Sequence, residues 1–317
     1  MGSNRVHYGC LGVALSTPTS LPTSLLPGVQ SVNVYSTKST EYITQPGSSI
    51  PTNYYSTIPD IGFAYTEAFT TFPVLSAISG MNSYIDLFMY IGEDDVECFS
   101  ARKYIRCKYL LLNSIRYSMN INGLFTCEKT YSGFSRYICT ATSGITVPGC
   151  PGPATSTSND LVGTRKNFNL SGTTLPATVI SNNLIQEVSI YYIINRENIT
   201  EPGTRTPYGS LTNFPIETRC SFTVASQNLD SYPDIFTTQT CSSLSGVAEN
   251  LTLSICGVGN IINGSLNIPQ AYLSSVEYGG GDVGGGNQTI NIEYTSYYTT
   301  GISPLIEFPN APATGCG

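Results

Sequence analysis

The feature that most constrains the fold of this chain is an internal repeat. Residues 29–59 align without a gap with residues 185–215, at a constant offset of 156, and both segments contain the pattern E-x-I-T-x-P-G-x-x-x-P. Ten positions are identical, whereas chance agreement would give roughly two. A repeat of this length predicts that the chain folds as two copies of one unit.

A second pair of segments, 109–133 and 271–296, extends the repeat after a two-residue length difference in the turn between them. The alignment places Leu112, Ile115 and Tyr117 over Leu273, Val276 and Tyr278, and Thr126 and Tyr131 over Thr289 and Tyr294. We therefore expect an N-terminal arm (1–18), a first domain (19–145), a linker or loop rich in Gly, Pro and Ser/Thr (146–172) and a second domain (173–317).

Both copies are expected to be all-β, because Thr and Tyr are abundant and apolar residues alternate with polar ones at a period of two. The alternations Ile61, Phe63, Tyr65 and Cys220, Phe222, Val224 are one residue out of step at the offset of 156. Since a one-residue slip would turn a strand inside out, the sequence predicts a bulge or an insertion beside Pro59 or Pro215. One short helix per copy is expected, in 68–80 and 232–246.

The charge and the apolar runs exclude several classes of protein. Charged residues make up 11% of the chain and the formal net charge is −7, which argues against a nucleic-acid-binding surface, since such a surface needs Lys and Arg. The first residues hold an apolar run of about five, shorter than a secretory signal requires. No run approaches the ~18 apolar residues of a membrane helix. We expect a cytosolic product without a membrane span.

The ten cysteines leave two alternatives open, buried thiols or one or two disulfides. None lies in a C-x-x-C pair, so their spacing does not fit a zinc site. Cys127, Cys220 and Cys256 fall in strand-like runs, where a thiol serves as a small apolar residue. Five Asn-x-Ser/Thr sequons suit a secreted glycoprotein, but a chain this rich in Asn, Ser and Thr contains several by chance.

Catalytic chemistry is poorly supported. His7 is the only histidine and precedes the repeat, so a nucleophile–histidine pair is not expected. The acidic run 93–97 follows the strand-ending Gly92 and predicts a solvated turn rather than a cation site. Segment 101–108 alternates basic and apolar residues, which predicts a strand with Arg106 and Lys108 outward. We expect no enzyme activity, no cofactor and no metal.

The glycine-rich stretch 279–286 matches the dinucleotide fingerprint G-x-G-x-x-G, but a strand-like segment follows it, where a phosphate site needs a helix. The sequence predicts a β-hairpin here instead. Its loop residues are Gly279, Gly280, Gly281, Asp282, Gly284, Gly285 and Gly286.

With these segments laid out, the chain resembles the tail tube proteins (major tail proteins) of long-tailed bacteriophages. The resemblance is carried by YLSSVEYGGGDVGGGNQTINIEYTSYY (272–298), NRENITEPGTRTPYGSLTNFPIETRCSFTV (195–224), IPDIGFAYTEAF with the following FPVL, and SYIDLFMYIG (83–92). These motifs cover most of both halves. The resemblance implies two tandem β-barrel or β-sandwich domains, each with one flanking helix.

The resemblance also implies an assembly. In this family six domains form a ring whose inner sheets merge into a lumen wall, and the rings stack into a tube for DNA ejection. Because this chain carries two domains, a homotrimer with pseudo-sixfold symmetry is expected, with a hexamer as the alternative. Other tail proteins would bind at the tube ends, and viral DNA would pass through without specific binding. The protein would belong to the virion tail and assemble in the host cytoplasm.

Two sets of residues follow from this assembly. The residues that alternate opposite the apolar face are candidates for the lumen: Arg116, Glu128, Glu277, Asn291 and Glu293. The Pro- and Gly-rich segments 41–59 and 197–215 are candidates for ring stacking, through Glu41, Pro46, Gly47, Pro51, Glu197, Pro202, Gly203 and Pro207. Deleting 42–52 is expected to leave a folded protein that fails to stack.

The main alternative is the subunit of an extracellular β-rich surface filament or adhesin, which the sequons, cysteines and Ser/Thr/Tyr content favour. A capsid or tail decoration protein is a closer variant, against which the tandem repeat argues. An enzyme is the third alternative.

Overall fold

The computed structural model describes residues 8–18, 20–38, 40–47, 49–51, 53–56, 59–68, 83–93, 100–120, 123–146, 168–172, 185–200, 207–226, 249–256, 262–279, 288–298 and 305–307. The described first copy contains β1 Tyr8–Ser16, β2 Val29–Thr37, β3 Thr40–Ile43, β4 Asn53–Ser56, β5 Asp60–Ala68, β6 Ile85–Glu93, β7 Ser100–Asn120, β8 Thr126–Gly133 and β9 Ser135–Thr146. The second contains β10 Phe168–Ser171, β11 Ile185–Ile193, β12 Arg196–Ile199, β13 Gly209–Thr212, β14 Ile216–Ser226, β15 Glu249–Cys256, β16 Ile262–Gly279, β17 Gln288–Tyr298 and β18 Leu305–Glu307.

The all-β prediction is confirmed. The described residues contain no helix, so the short helix predicted for each copy is not borne out. Both candidate segments, 68–80 and 232–246, lie outside the described residues except for Ala68.

The two copies repeat the same strand pairings. β1–β6, β2–β5, β3–β4, β5–β8, β6–β7 and β7–β8 recur as β10–β15, β11–β14, β12–β13, β14–β17, β15–β16 and β16–β17, all antiparallel. The last strands differ, because β9 pairs with β7 whereas β18 pairs with β13. β1 lies in the predicted arm and β10 in the predicted linker, so each structural repeat begins ahead of the predicted domain boundary.

The repeat holds at the level of single residues. A bulge between Leu112 and Ser114 on β7 recurs between Leu273 and Ser275 on β16. The offset between copies is 156 on β2 and β11, where Val32 corresponds to Val188, but 157 on β5 and β14, where Tyr65 corresponds to Phe222. The predicted insertion beside Pro215 is therefore confirmed. By register, Ser56 and Asp60 correspond to Thr212 and Glu217, so the first copy has three residues between these positions and the second copy has four.

One long strand in each copy, β7 in the first and β16 in the second, bends and is shared by two layers, so that each copy forms a sandwich. The first part of β7 pairs with β6 and β9 and the second part with β8 and β11, and β16 is shared between β15 and β17 in the same way. At the bends, Tyr109 (φ 54°) and Gln270 (φ 50°) are the described non-glycine residues with left-handed backbone. Such a conformation persists only where neighbouring groups fix it.

A carboxylate or amide fixes each bend. The backbone N–H of Tyr109 donates to Oδ1 of Asp86 (3.0 Å), and that of Gln270 donates to Oδ1 of Asn250 (3.2 Å). Asp86 also accepts two hydrogen bonds from Arg106, at 2.9 and 2.8 Å, in a fully buried ion pair. Burial raises the pKa of Asp86, although the amide of Tyr109 and the guanidinium of Arg106 favour the ionised form.

The prediction that Arg106 and Lys108 point outward is wrong, since each is only 3% exposed. In the first copy the outer face of β6 and β7 is itself covered, because a second apolar cluster forms there around Phe88, Tyr90 and Tyr104. Arg106 lies 5.0 Å from the centre of the Phe88 ring, and Lys108 lies 5.5 Å from that of Tyr137.

The main core lies between two layers and runs through both copies. The outer layer contains β1, β6, β9, β10, β15 and the first parts of β7 and β16. The inner layer contains β2, β5, β8, β11, β14, β17 and the second parts of β7 and β16. The core includes Leu87 and Cys107 from the outer layer and Phe63, Ile190 and Phe222 from the inner layer. The buried Cys107, Cys127 and Cys220 are free thiols, whereas Cys139 is disulfide-bonded. The structure therefore contains both of the states left open by the sequence. The side chain of Cys256 is outside the described residues.

A further ion pair lies in the first copy only. Nζ of Lys129 donates to Oε1 of Glu67 at 2.6 Å, and both side chains are mostly buried. The pairing register places Val224 and Ile292 at the corresponding positions of the second copy.

Candidate functional site

Eight strands form one continuous sheet in the order β2-β5-β8-β7-β11-β14-β17-β16, within a larger 13-stranded sheet. One side faces the core and the other, which we call the polar face, carries the alternate residues. On β14, for example, Cys220 and Phe222 are buried while Arg219 is exposed. The charged residues described on the polar face are Asp60, Arg116, Glu128, Glu187, Glu217, Arg219, Glu277 and Glu293. Carboxylates therefore dominate this face.

All five lumen candidates lie on the polar face. Arg116, Glu128 and Glu277 are exposed, and Asn291 and Glu293 are partly exposed. Arg116 lies opposite Glu128, and Glu277 lies opposite Asn291. Their position opposite the core agrees with the predicted alternation, whereas their place in a lumen stays a prediction.

The two arginines of the polar face lie beside carboxylates. The pKa of Arg219 is raised, chiefly by a hydrogen bond to Glu217 and further by Glu293. Tyr191 lies between Arg116 on one neighbouring strand and Arg219 on the other. A shallow depression of about 430 Å³ is lined by Arg116, Tyr191, Arg219 and Glu293, together with hydroxyls such as that of Ser189. Because each cation has an acidic neighbour, the depression offers polyanions little net attraction.

The two copies are joined edge to edge by strands β11 and β7. The pairing is antiparallel and runs from Glu187 opposite Asn120 to Ile193 opposite Ser114. Tyr117 and Tyr192 meet across it with ring centres 6.3 Å apart, edge to face. Because the strands hydrogen-bond directly, the polar face continues from one copy into the other. We call this pairing the internal junction.

Arg196, just beyond β11, fastens the internal junction. Its Nε donates to the backbone carbonyl of Leu112 (3.1 Å) and its Nη1 to Oγ1 of Thr212 (2.8 Å). The backbone N–H of Ile194 donates to the carbonyl of Asn113 (2.8 Å). Burial lowers the pKa of Arg196 to about 10, so the side chain keeps its charge at neutral pH.

The two ends of the eight-stranded sheet, β2 and the second part of β16, are the repeat counterparts of the strands of the internal junction. Within the described part of the chain, β2 pairs only with β5, and the second part of β16 only with β17. Tyr278 on β16 is 55% exposed, whereas its counterpart Tyr117 is 1% exposed. Val32 and Val34 are likewise only partly buried, whereas their counterparts Val188 and Ile190 are buried. The exposed apolar surface thus lies where the other copy has a neighbouring strand.

The stacking candidates fall on two hairpins with different surroundings. Glu41, Pro46, Gly47 and Pro51 are all exposed, and Gly47 has a left-handed backbone (φ 86°). In the second copy Glu197 is exposed and Pro207 is buried, while Pro202 and Gly203 lie outside the described residues. A role of these residues in stacking stays a prediction.

The glycine-rich stretch connects two paired strands, as predicted. Gly279 is the last residue of β16 and lies opposite Thr289 on β17, which confirms the hairpin. The other loop candidates, Gly280, Gly281, Asp282, Gly284, Gly285 and Gly286, are outside the described residues.

The part of the chain that the structure describes offers no candidate metal centre. No group of three or more His, Cys, Asp or Glu side chains is placed there to hold a metal ion. His7 is outside the described residues, as is all of the acidic run 93–97 except Glu93 at the end of β6. None of the described segments forms a helix that could cross a membrane.

Neither a protein-family model nor a curated protein matches this sequence.

Sequence reasoning missed the residues that fasten the sheet, namely Asp86, Arg106 and Arg196. For Asp86 a signal existed, because it is the one charged residue in the apolar run SYIDLFMYIG, and a buried charge needs a partner. Arg196 gave no such signal.

Proposed function

We propose that this protein is a structural subunit that assembles into rings and stacks them into a tube of the bacteriophage tail type, a conduit for DNA ejection. One observation carries the proposal. The chain already contains one strand pairing between its two copies, and the two edge strands of its eight-stranded sheet are the repeat counterparts of the strands in that pairing. β2 of one chain and β16 of its neighbour are the counterparts of β11 and β7.

The internal junction supplies the register of such a contact, which we call the seam. Ile190 lies opposite Tyr117 and Tyr191 opposite Arg116, so Val34 would lie opposite Tyr278 of the next chain, and Tyr35 opposite Glu277. Pairing in this register buries Tyr278 as Tyr117 is buried. It also satisfies the backbone groups of two edge strands, which are otherwise prone to aggregation.

A closed ring of such chains removes every edge of the inner sheet. Since each chain contributes two copies, a trimer has pseudo-sixfold symmetry, and a hexamer of chains is the alternative. In either ring the polar face becomes the lumen wall, where the carboxylates repel DNA phosphates and the paired arginines do not bind them. The exposed residues Pro46, Gly47 and Pro51, in the loop between β3 and β4, are available for stacking. Other tail proteins would bind the tube ends, in a virion tail assembled in the host cytoplasm.

Electron microscopy of the purified protein tests the class. Hollow tubes with a fixed axial repeat support it, and a ring whose measured mass equals three chains supports the trimer. Only monomers or irregular aggregates, at any concentration, would refute the proposal.

Paired cysteines test the register of the seam. Val34→Cys combined with Tyr278→Cys is expected to give a ladder of covalent oligomers on oxidation, because directly opposed residues lie within disulfide range. Ser36→Cys with Tyr278→Cys is the control, two residues out of register, and is expected to give little product. Equal yields from the two pairs would contradict the register.

An extracellular filament or adhesin is the second candidate, and the disulfide of Cys139 favours it. Free-thiol counting on protein purified under non-reducing conditions distinguishes the two. A tube subunit made in a reducing cytosol is expected to show most of its ten cysteines as thiols after denaturation. Several stable disulfides, together with glycosylation at the sequons, would favour the filament.

A further inference from the structure

The hairpin β3–β4 exposes two tyrosines that its counterpart β12–β13 lacks. Tyr42 lies opposite Tyr54, and the two are 67% and 66% exposed. The same pair of positions in the second copy holds Asn198 and Ser210. Large aromatic side chains left in water on one hairpin, where the repeat has small polar ones, indicate a contact surface.

The second copy shows where the base of such a hairpin lies. A cleft of about 650 Å³ at the internal junction is lined by Ser132 of β8, by Phe134 just after β8, and by Asn198 and Pro207 from the β12–β13 hairpin. The hydrogen bond from Arg196 to Leu112 holds the hairpin in this position. Residue 198 of the second copy therefore shares a cleft with residue 134 of the copy before it.

The seam has the corresponding positions on two different chains. The register of β8 and β17 places Tyr297 where the first copy has Phe134, and Tyr297 is 54% exposed. Tyr42 stands where the second copy has Asn198. A seam built like the internal junction thus brings two exposed tyrosines of neighbouring chains into one cleft.

We infer that Tyr42 of one chain packs against Tyr297 of the neighbouring chain, so that the β3–β4 hairpin covers the seam. The partner is a second molecule of this protein, and the inference rests on the proposed ring assembly. The contact would also hold the hairpin at the seam, as the hydrogen bond from Arg196 to Leu112 holds the β12–β13 hairpin at the internal junction. Thr40 stands where the internal junction has Arg196, and its side chain is too short to reach a carbonyl on the neighbouring strand.

A photo-crosslinking amino acid at position 42 tests the contact. The variant is co-assembled with ¹⁵N-labelled wild-type protein, irradiated, and digested for mass spectrometry. We expect position 42 to link to the 288–298 segment of a differently labelled chain. The same amino acid at position 54, on the neighbouring strand of the same hairpin, is the matched control and is expected to link to that segment in clearly lower yield.

A second measurement uses the residue that the repeat itself supplies. Tyr42→Asn is expected to raise the critical concentration of assembly roughly threefold to tenfold, as the loss of one aromatic contact does, whereas Tyr54→Ser leaves it unchanged. Since both side chains are exposed in the monomer, circular dichroism of both variants should match the wild type.

The outcomes separate this inference from the proposed function. Tubes that form while position 42 links to other segments, or in which Tyr42→Asn assembles like the wild type, would overturn the contact and leave the tube function standing. Failure of the wild-type protein to form rings or tubes would refute the proposed function and, with it, the contact.

Discussion

Replacing Tyr278 measures what the seam contributes to assembly. A tyrosine buries roughly 150–250 Å² when fully covered, and Tyr278 is 55% exposed where its counterpart Tyr117 is 1% exposed. Covering the difference removes about 100 Å² from water, which corresponds to about 2.5 kcal/mol per seam. Tyr278→Ser is therefore expected to weaken each seam by nearly two orders of magnitude in equilibrium constant.

The assay is sedimentation across a concentration series, which gives the critical concentration of assembly. Tyr54→Ser is the control, since it removes a comparably exposed tyrosine away from the paired edges. Urea unfolding of the unassembled protein should be the same for both variants, because Tyr278 is largely exposed in the monomer. If Tyr278→Ser assembles at the wild-type concentration, β16 is not the strand that pairs between chains.

Three further results are expected. Glu67→Val alone should lower the free energy of unfolding in urea by about 3–5 kcal/mol, because it leaves the buried Lys129 without its carboxylate partner. The double variant Glu67→Val with Lys129→Ile, which has the residues of the second copy, should lose under about 1 kcal/mol or be more stable. Equal losses in the two variants would contradict this reasoning. Glu128→Gln with Glu217→Gln should make tubes retain DNA in low salt, as a gel-shift assay would show, and unchanged mobility would refute the charge pairing. Burial raises the pKa of the Cys107, Cys127 and Cys220 thiols to about 12. As pH rises the unfolded chain therefore loses these protons first, and the free energy of unfolding should fall between about pH 9 and 12, by up to about 4 kcal/mol for each thiol. Urea titrations at stepped pH measure this fall.

The repeat and the alternation predicted much of the fold, down to single residues. Because the core-facing pattern of β7 recurs on β16, the alignment of Leu112 with Leu273 matched the two strands correctly, although it did not reveal the bulge that they share. The slip of one residue between β5 and β14 was predictable for the same reason, since only an insertion keeps Phe222 on the core face.

The neighbours of each strand could not be predicted in this way. Alternation shows which residues of β11 face the core, but it does not show which strand lies beside β11. The pairing of Val188 with Met119 was therefore not predicted. The same limit explains the error at Arg106. A period of two separates the faces of a strand without showing that a cluster around Phe88 covers the outer one.

The internal junction also changes how a ring would form. The strands β11 and β7 are held in one polypeptide, so their effective concentration is fixed by the chain and does not fall on dilution. In a ring built from such chains, every second joint forms during folding, and only the remaining joints depend on collisions between molecules. A six-domain ring is then assembled from three molecules where separate domains would need six, so dilution of the protein shifts the assembly equilibrium less.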